Sequence, residues 1–291
     1  MLNVSVYYQP SSLVDALRLL SESNGELRPL AGGTDIIPAL AKHEFSAGLV
    51  DMTKISDLKG INLSDGVMTI GSLSSFNQIE TSELIRIGTP VLAQAAASVG
   101  SPQIRNQGTL GGNIANASPA ADTVTALVAL DARVKLASLG GSRSVKVSEL
   151  LCGVGKTSIS RQEVIEEIFF SVPPPGTISG FIKLGRRKAL AIARMNLAVT
   201  FTLEDGRIAR ARVAIGAVGP NPSRNLALEA VLKGQQPSLS LIEEFVTEAE
   251  REVFRVLGSR PSVSYKSEAI KGIARDLLNR LFFTSEQVVI G

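Results

Sequence analysis

The stretch Ser-Val-Pro-Pro-Pro-Gly-Thr-Ile-Ser-Gly at residues 171–180 constrains the fold more than any other part of the chain. Its prolines and glycines interrupt both helices and strands, because proline lacks a backbone donor and glycine favours turns. The chain has 291 residues, 44% of them hydrophobic, which is enough for more than one core. We therefore expect an α+β protein with regions 1–55 and 56–172 before this break and region 176–285 after it.

The first two regions mix strand and helix patterns. In region 1–55 a strand, a helix and a strand lead into a double-glycine turn, and a short helix and a strand follow it. In region 56–172 a helical pattern is broken at Pro90, and two strands flank Leu-Gly-Gly at 139–141 as a hairpin.

Region 176–285 begins with strand patterns and ends with helices. The strand patterns predict a three-stranded antiparallel sheet and lie near residues 181–185, 193–203 and 207–217. Asp-Gly at 205–206 suits the tight turn between the last two strands. The longest helix is predicted to start at Ser240, in a capping box with Glu243, and to stop at Gly258.

Two glycine-rich segments stand out, Ala-Gly-Gly-Thr-Asp at 31–35 and Thr-Leu-Gly-Gly-Asn at 109–113. Glycine lets a ligand approach the backbone closely, and successive N–H groups in such turns bind anions. Asp35 is expected to begin a helix, whose N-terminal amides also favour phosphate. Two such turns, each expected after a strand, would fit one diphosphate lying between them.

The cysteine and histidine counts exclude several kinds of chemistry. The chain has one cysteine, Cys152, and one histidine, His43. A chain with one cysteine supplies neither the roughly four thiolates of an iron–sulfur cluster nor a Cys/His zinc site. His43 is interpreted as a surface or cap residue rather than a catalytic one. We expect no metal site and no catalytic side chain in this chain.

Other classes of protein are excluded by what the sequence lacks. No G-x-G-x-x-G pattern follows the first strand, and Gly-Val-Gly-Lys-Thr-Ser at 153–158 has Leu150 where a P-loop needs glycine. Aromatic residues make up 4% of the chain, too few for base-stacking platforms, so we expect no nucleic-acid partner. No apolar run of about 18 residues predicts a membrane span, and no signal-peptide pattern is present at the N-terminus. A cytoplasmic protein is expected.

Four motifs in order carry a family resemblance. They are Leu-Ala-Gly-Gly-Thr-Asp-Ile-Ile at 30–37, Asn-Gln-Gly-Thr-Leu-Gly-Gly-Asn at 106–113, the run 153–168 and the run 181–199. Together they resemble the FAD-binding medium subunit of molybdenum hydroxylases, the xanthine and carbon monoxide dehydrogenase family. The resemblance implies a vanillyl-alcohol-oxidase-type FAD-binding fold in two subdomains plus a C-terminal domain of the carbon monoxide dehydrogenase flavoprotein type. It covers most of the chain.

The resemblance also implies which residues bind FAD. The first diphosphate-binding segment would comprise Pro29, Leu30, Ala31, Gly32, Gly33, Thr34, Asp35 and Ile36, and the second Thr109, Leu110, Gly111, Gly112 and Asn113. Asp122 would accept a hydrogen bond from a ribose or from the adenosine part, which suits a carboxylate. Val99, Ile165 and Lys183 match further positions that contact the cofactor, and Lys183 could stabilise the anionic reduced flavin.

The function implied is that of an electron-transfer subunit within a hetero-oligomer. A molybdopterin-binding large subunit would oxidise an organic substrate, and a [2Fe–2S] small subunit would relay the electrons to FAD and then to an external acceptor. Two alternatives remain open: a stand-alone FAD-dependent reductase of the same fold, and a non-redox scaffold subunit. The organic substrate and the physiological acceptor are not determined by the sequence.

Overall fold

The N-terminal region is a small parallel sheet with two helices. The computed structural model describes residues 3–187 and 190–283. The elements of this region are β1 (Val4–Tyr8), α1 (Leu13–Glu22), β2 (Leu27–Leu30), α2 (Ile36–Ala41) and β3 (Ala47–Asp51). The sheet has the order β1-β3-β2, and both pairings are parallel. Ser12 caps α1 by accepting a hydrogen bond from the N–H of Asp15, and the apolar face of α1 is buried.

The second region is built on a five-stranded antiparallel sheet of order β4-β5-β10-β6-β7. Its strands are β4 (Ile61–Ser64), β5 (Val67–Gly71), β6 (Arg133–Ser138), β7 (Gly141–Lys146) and β10 (Val164–Ser171), and β8 (Leu151–Gly153) pairs separately with β9 (Lys156–Thr157). The helices are α3 (Phe76–Thr81), α4 (Glu83–Gly88), α5 (Pro90–Ala97), α6 (Pro102–Gln107), α7 (Leu110–Asn116), α8 (Asp122–Ala129) and α9 (Val147–Leu150). One face of the sheet and these helices, except α6, share a hydrophobic core. The predicted break at Pro90 and the predicted hairpin are both present.

The C-terminal region has four strands where the sequence predicted three. The strands are β11 (Ile178–Leu184), β12 (Met195–Glu204), β13 (Arg207–Gly216) and β14 (Ser223–Arg224), in an antiparallel sheet of that order. The extra strand has two residues after a proline-rich turn, too few to show an alternating pattern. Asp205 and Gly206 both have positive φ, 50° and 73°, as the predicted tight turn requires.

Helices α10 (Leu226–Leu232), α11 (Leu239–Leu257) and α12 (Val263–Phe283) complete this region. The prediction that the longest helix begins at Ser240 is wrong. The longest helix is α12, and α11 is capped by Ser238, whose hydroxyl accepts from the N–H of Leu241 (3.1 Å). Glu243 binds Arg275 of α12 instead of forming a capping box, while Gly258 ends α11 as predicted.

The C-terminal sheet shares its packing with the second region. Phe181 and two alanines of β12 and β13 belong to the same core as the helices of the second region. The N–H of Phe181 donates to the Gln94 side chain (2.8 Å), and the N–H of Val91 donates to Ser179 (3.3 Å). The boundaries 1–55, 56–172 and 176–285 stay predictions, and residues 1, 2, 284 and 285 lie outside the described part. No helix in ranges 3–187 and 190–283 is long and apolar enough to cross a membrane.

Candidate cofactor-binding site

The first glycine-rich segment leaves the end of β2 and enters α2. Pro29 and Leu30 lie in β2, which pairs with β3. Gly33 has a φ of +74°, a conformation that glycine adopts at little cost, and Asp35 is the N-cap of α2. Within the described residues, the backbone N–H groups of positions 32–35 have no hydrogen-bond acceptor. This turn therefore presents several unused donors, as an anion-binding segment requires.

The second glycine-rich segment is a helix, not a turn after a strand. It follows α6 and forms the start of α7, with Thr109 as the N-cap. Thr109 Oγ1 accepts from the N–H of Gly112 (3.2 Å), and the N–H of Gly111 donates to the Ser72 carbonyl (2.9 Å). The Leu110 and Asn113 N–H groups also bond within the protein. The segment thus offers fewer free donors than its sequence suggested.

Both glycines of the second segment are required by packing within the protein. A Cβ on Gly111 would lie 2.6 Å from the Ser72 Cβ and 2.8 Å from the Ser72 carbonyl oxygen. A Cβ on Gly112 would lie 2.9 Å from Thr109 Oγ1. Packing against Ser72 therefore gives Gly111 a reason within the protein, in addition to the predicted approach of a ligand, and Gly112 lies close to the hydroxyl that caps α7.

The two segments meet, although they are far apart in sequence. A Cβ on Gly32 would lie 1.8 Å from the carbonyl oxygen of Gln107 and 3.1 Å from the Cα of Gly108, so the first segment contacts the backbone that leads directly into the second. The Cβ of Ala31 lies 3.9 Å from the place where a Cβ of Gly112 would stand. The sequence-based idea that both segments belong to one site is consistent with this contact.

A cavity of about 370 Å³ opens between the two segments. This volume falls within the roughly 300–1,000 Å³ of small-molecule sites. Its lining is polar and, among the described residues, contains no carboxylate: Gly32, Thr53, Lys59, Leu73, Ser75, Asn77, Gln78, Asn106, Gln107 and Thr109. Hydroxyl and amide donors beside one lysine suit the negative charge of a diphosphate. No motif marks Lys59 or Thr53, and Gln107 lies within the 106–113 motif without being one of the predicted site residues.

A second, larger groove of about 510 Å³ lies over the outer face of the five-stranded sheet and contains none of the predicted site residues. Its lysine and arginine already have acidic partners: Lys135 binds Glu166 (2.8 Å), and Arg143 binds Glu163 (2.6 Å). The groove is open to solvent and adds nothing to the cofactor site.

Asp122 and Lys183 form a buried ion pair. Lys183 Nζ donates to Asp122 Oδ2 (2.7 Å) and to the carbonyl of Ser98 (2.6 Å), next to Val99. Asn196 Nδ2 donates to the other carboxylate oxygen, Oδ1 (2.8 Å). Burial raises the pKa of Asp122, and the charge of Lys183 opposes this rise. The predicted residues Asp122, Lys183 and Val99 are thus brought together, and Asn196 joins them.

Asn113 connects the ion pair to the glycine-rich segments. Its Oδ1 accepts a hydrogen bond from the hydroxyl of Thr123 (2.7 Å), the residue after Asp122. Ile165 lies apart from this network, because its side chain is 6% exposed and packs into the core of the second region. Its strand packs against α7, and the carbonyl of Glu166 in that strand accepts a hydrogen bond from the N–H of Ser72.

Two family models match this chain. Residues 2–174 match the model described as the FAD binding domain in molybdopterin dehydrogenase, and residues 181–281 match the CO dehydrogenase flavoprotein C-terminal domain. The chain belongs to the FAD-binding subunits of molybdenum hydroxylases. It is therefore an FAD-binding oxidoreductase subunit, and the family and cofactor predicted from the sequence are confirmed.

Individual relatives of this FAD-binding subunit agree with that assignment. The nicotinate dehydrogenase FAD-subunit of Eubacterium barkeri is 32% identical over 93% of this chain and 94% of its own. The xanthine dehydrogenase FAD-binding subunit of Escherichia coli O157:H7 is 29% identical over 96% of each chain. Among solved structures, carbon monoxide dehydrogenase from Hydrogenophaga pseudoflava superposes with a TM-score of 0.89 at 26% identity, covering 97% of this chain and 98% of the other. The predicted fold class is confirmed.

The donor set fits the cofactor that the family implies. FAD carries a diphosphate, and the structure offers free backbone donors at 32–35 beside a cavity without a carboxylate among its described lining residues. Within the described residues no group of three or more His, Cys, Asp and Glu side chains could hold a metal ion.

Proposed function

We propose that this subunit takes electrons from the [2Fe–2S] clusters of a small subunit and passes them through FAD to an external acceptor. A molybdopterin-binding large subunit would supply the electrons by oxidising an organic substrate. The observation that carries the proposal is the contact of the first glycine-rich segment with the backbone leading into the second, beside a cavity with no carboxylate among its described lining residues, in a chain of this family. Bound FAD supplies the redox chemistry, and the residues of this chain bind and orient it.

The diphosphate would be bound mainly by the first segment. The N–H groups of residues 32–35 are free, whereas those of residues 110–113 are used within the protein. We therefore propose that the first segment donates the hydrogen bonds to the diphosphate. The second segment would contact the cofactor by close packing, through Thr109, Leu110, Gly111, Gly112 and Asn113. Lys59, at the cavity lining, would place positive charge near the diphosphate.

Asp122 and Lys183 keep unused hydrogen-bonding capacity. A carboxylate has about four lone-pair sites, and within the described residues Lys183 and Asn196 each occupy one on a different oxygen of Asp122, with the Ser98 hydroxyl also close by. An ammonium has three donors, and Lys183 uses two of them. The proposal leaves one further acceptor on Asp122 for a cofactor hydroxyl and one donor on Lys183 for the flavin. Val99 would contribute an apolar contact beside them. Ile165 stays a proposed contact, which the backbone of its strand rather than its buried side chain would make.

The names of the relatives support a multisubunit complex. They include an FAD-subunit of nicotinate dehydrogenase and a glyceraldehyde dehydrogenase medium chain from Sulfolobus acidocaldarius. We infer that this chain likewise works in a hetero-oligomer with a molybdopterin-binding large subunit and a [2Fe–2S] small subunit. The alternatives differ in measurable ways, because a stand-alone reductase turns over substrate alone and a scaffold lacks the visible flavin absorption.

The test of the proposed function has two parts. The purified chain should bind one FAD non-covalently, be reduced by dithionite, and oxidise no aldehyde, purine or aromatic heterocycle until its partner subunits are added. Robust turnover by the chain alone would reject the subunit role in favour of the stand-alone reductase. A colourless chain that does not bind added FAD would support the scaffold.

The site is tested by a matched pair of lysine variants. Lys59→Met should weaken FAD binding, and the difference from wild type should shrink at high salt because the lost attraction is screened. Lys54→Met removes an exposed lysine five residues earlier that does not line the cavity, and should leave FAD binding unchanged. Equal Kd values for both variants would place the diphosphate elsewhere.

A further inference from the structure

Asn196 is a fully buried amide near the start of a mostly apolar strand. It lies in the sequence Met-Asn-Leu-Ala-Val-Thr-Phe of β12 and is 0% exposed. Its amide donates to Asp122 Oδ1 (2.8 Å), and its carbonyl oxygen Oδ1 lies 2.9 Å from the hydroxyl of Thr125. A buried amide without partners would destabilise the fold, so both contacts are needed at this position.

The orientation of the Asn196 amide follows from the charge of Asp122. An ionised carboxylate only accepts hydrogen bonds, so the NH₂ group must face Asp122. The amide oxygen then faces Thr125, whose hydroxyl donates to it. The plane of the Asn196 side chain is therefore fixed from both ends.

The neighbouring strand leaves room for this arrangement. Gly216 of β13 pairs directly with Asn196. A Cβ on Gly216 would lie 2.1 Å from the Asn196 side-chain oxygen and 2.3 Å from the Thr125 hydroxyl oxygen. Glycine weakens a strand interior, and its presence there often marks a close approach of other atoms. Here the missing side chain provides the space for the Asn196–Thr125 contact.

Asn196 and Lys183 act on different oxygens of Asp122. Lys183 binds Oδ2 through a flexible four-carbon chain, whereas Asn196 binds Oδ1 through a planar group that is itself fixed by Thr125. Two donors, one on each oxygen, fix the plane of the carboxylate. The remaining lone pairs of Asp122 therefore point in defined directions.

We propose that Asn196, in the space left by Gly216, is a positioning residue that orients the Asp122 carboxylate toward the FAD. The inference rests on the proposed role of Asp122 as a cofactor contact. The C-terminal sheet would then influence the affinity for FAD through Asn196, which acts by holding Asp122 in place. No step of electron transfer is attributed to Asn196.

The experiment is a double-mutant cycle on FAD binding by the full chain. Kd is measured by flavin fluorescence titration of the deflavinated protein for wild type, Asn196→Ala, Asp122→Asn and the double variant. Loss of a hydrogen bond to a charged group should weaken binding roughly ten- to hundredfold in Asn196→Ala. In the Asp122→Asn background the same substitution should change Kd less than about threefold, because its effect passes through Asp122.

The outcomes distinguish the positioning role of Asn196 from the cofactor contact of Asp122. Equal weakening by Asn196→Ala in both backgrounds, or none in wild type, would overturn the positioning role while leaving Asp122 as a contact. A wild-type Kd for Asp122→Asn would reject the proposed contact itself, and the inference with it. Asn221→Ala is the matched control: it removes a hydrogen bond to the Leu151 carbonyl (3.0 Å) and should lower Tm without changing Kd.

A milder variant tests the same role if Asn196→Ala does not fold. Thr125→Val removes the hydroxyl that fixes the Asn196 amide (2.9 Å) and that also lies 3.2 Å from the Ala121 carbonyl oxygen. It should weaken FAD binding severalfold in wild type and not in the Asp122→Asn background. Equal effects in both backgrounds would again contradict the positioning role.

Discussion

The contact between Gly32 and Gln107 makes the substitution Gly32→Ala the sharpest test of the cofactor site. The added Cβ would lie 1.8 Å from the Gln107 carbonyl oxygen and 2.7 Å from its carbon, and real Cβ atoms essentially never approach closer than 3.0 Å. Both partners are backbone, so neither can rotate away. The two segments must separate by more than ~1 Å, and overpacking of this kind costs roughly 1–3 kcal/mol.

The separation falls at the place where we propose the diphosphate binds. If bound FAD requires the segments in contact, the strain of about 1–3 kcal/mol appears as a roughly 5- to 150-fold rise in the Kd for FAD. Fluorescence titration of the deflavinated protein measures this rise, and urea unfolding without FAD shows how much of the strain is relieved in the free protein. Unchanged Kd and unchanged stability would refute the contact and the site built on it.

The matched control is Gly140→Ala in the turn between β6 and β7. The only atom within 4 Å of its added Cβ is the Ser138 hydroxyl oxygen, at 3.8 Å. Gly140→Ala should therefore leave both Kd and stability near the wild-type values. An equal effect of both alanine variants would show that the loss reflects glycine content rather than the contact.

Three further predictions concern stability. Gly272→Ala, at an exposed position in α12 with no atom within 4 Å of the added Cβ, should raise the free energy of unfolding in urea by about 1 kcal/mol. The Arg143 guanidinium lowers the pKa of Glu163 from 4.5 to about 2, so the stability that this ion pair contributes is present above pH 4.5 and lost as pH falls through 2. Glu163→Gln should cost about 1 kcal/mol of unfolding free energy at neutral pH, since Arg143 is half-exposed, and should flatten the decline of stability toward acid pH. An unchanged decline in the variant would contradict the pairing. Lys183→Met should destabilise the protein by about 3–5 kcal/mol at pH 8 by leaving the Asp122 carboxylate buried and unpaired. Because burial already raises the pKa of Asp122, that loss should shrink as pH falls, and a loss that grows toward acid would contradict this account.

Features with a local chemical signature could be predicted from the sequence. Asp205 and Gly206 specify a turn with two positive φ angles, and Pro90 begins a helix because its missing N–H has no partner in the first turn anyway. The glycine-rich turn at 31–35 was placed correctly between a strand and a helix, since Gly33 requires the left-handed region. In each case the chemistry of the residue itself restricts the backbone conformation at that position.

Features that depend on distant neighbours could not be predicted. Residues 110–116 contain two glycines and two asparagines, which favour a loop, yet they form α7 because Thr109 caps it and Gly111 packs on Ser72. The sequence shows a glycine but not which atoms crowd it. Asn196 likewise gives only a weak signal, a polar residue in a mostly apolar strand, and its partner Asp122 lies 74 residues earlier.

The order of synthesis gives the ion pair of Asp122 a further consequence. Asp122 is made before both of its donors, Lys183 and Asn196, and Asn196 follows it by 74 residues. At ~5–20 residues per second, the carboxylate lies without this last partner for roughly 4–15 s on the ribosome. Gly216, which leaves room for Asn196, is made later still. The region around Asp122 is therefore completed only after most of the C-terminal sheet has emerged. If Asp122 contacts the cofactor as we propose, stable loading of FAD follows translation of that sheet rather than accompanying synthesis of the glycine-rich segments.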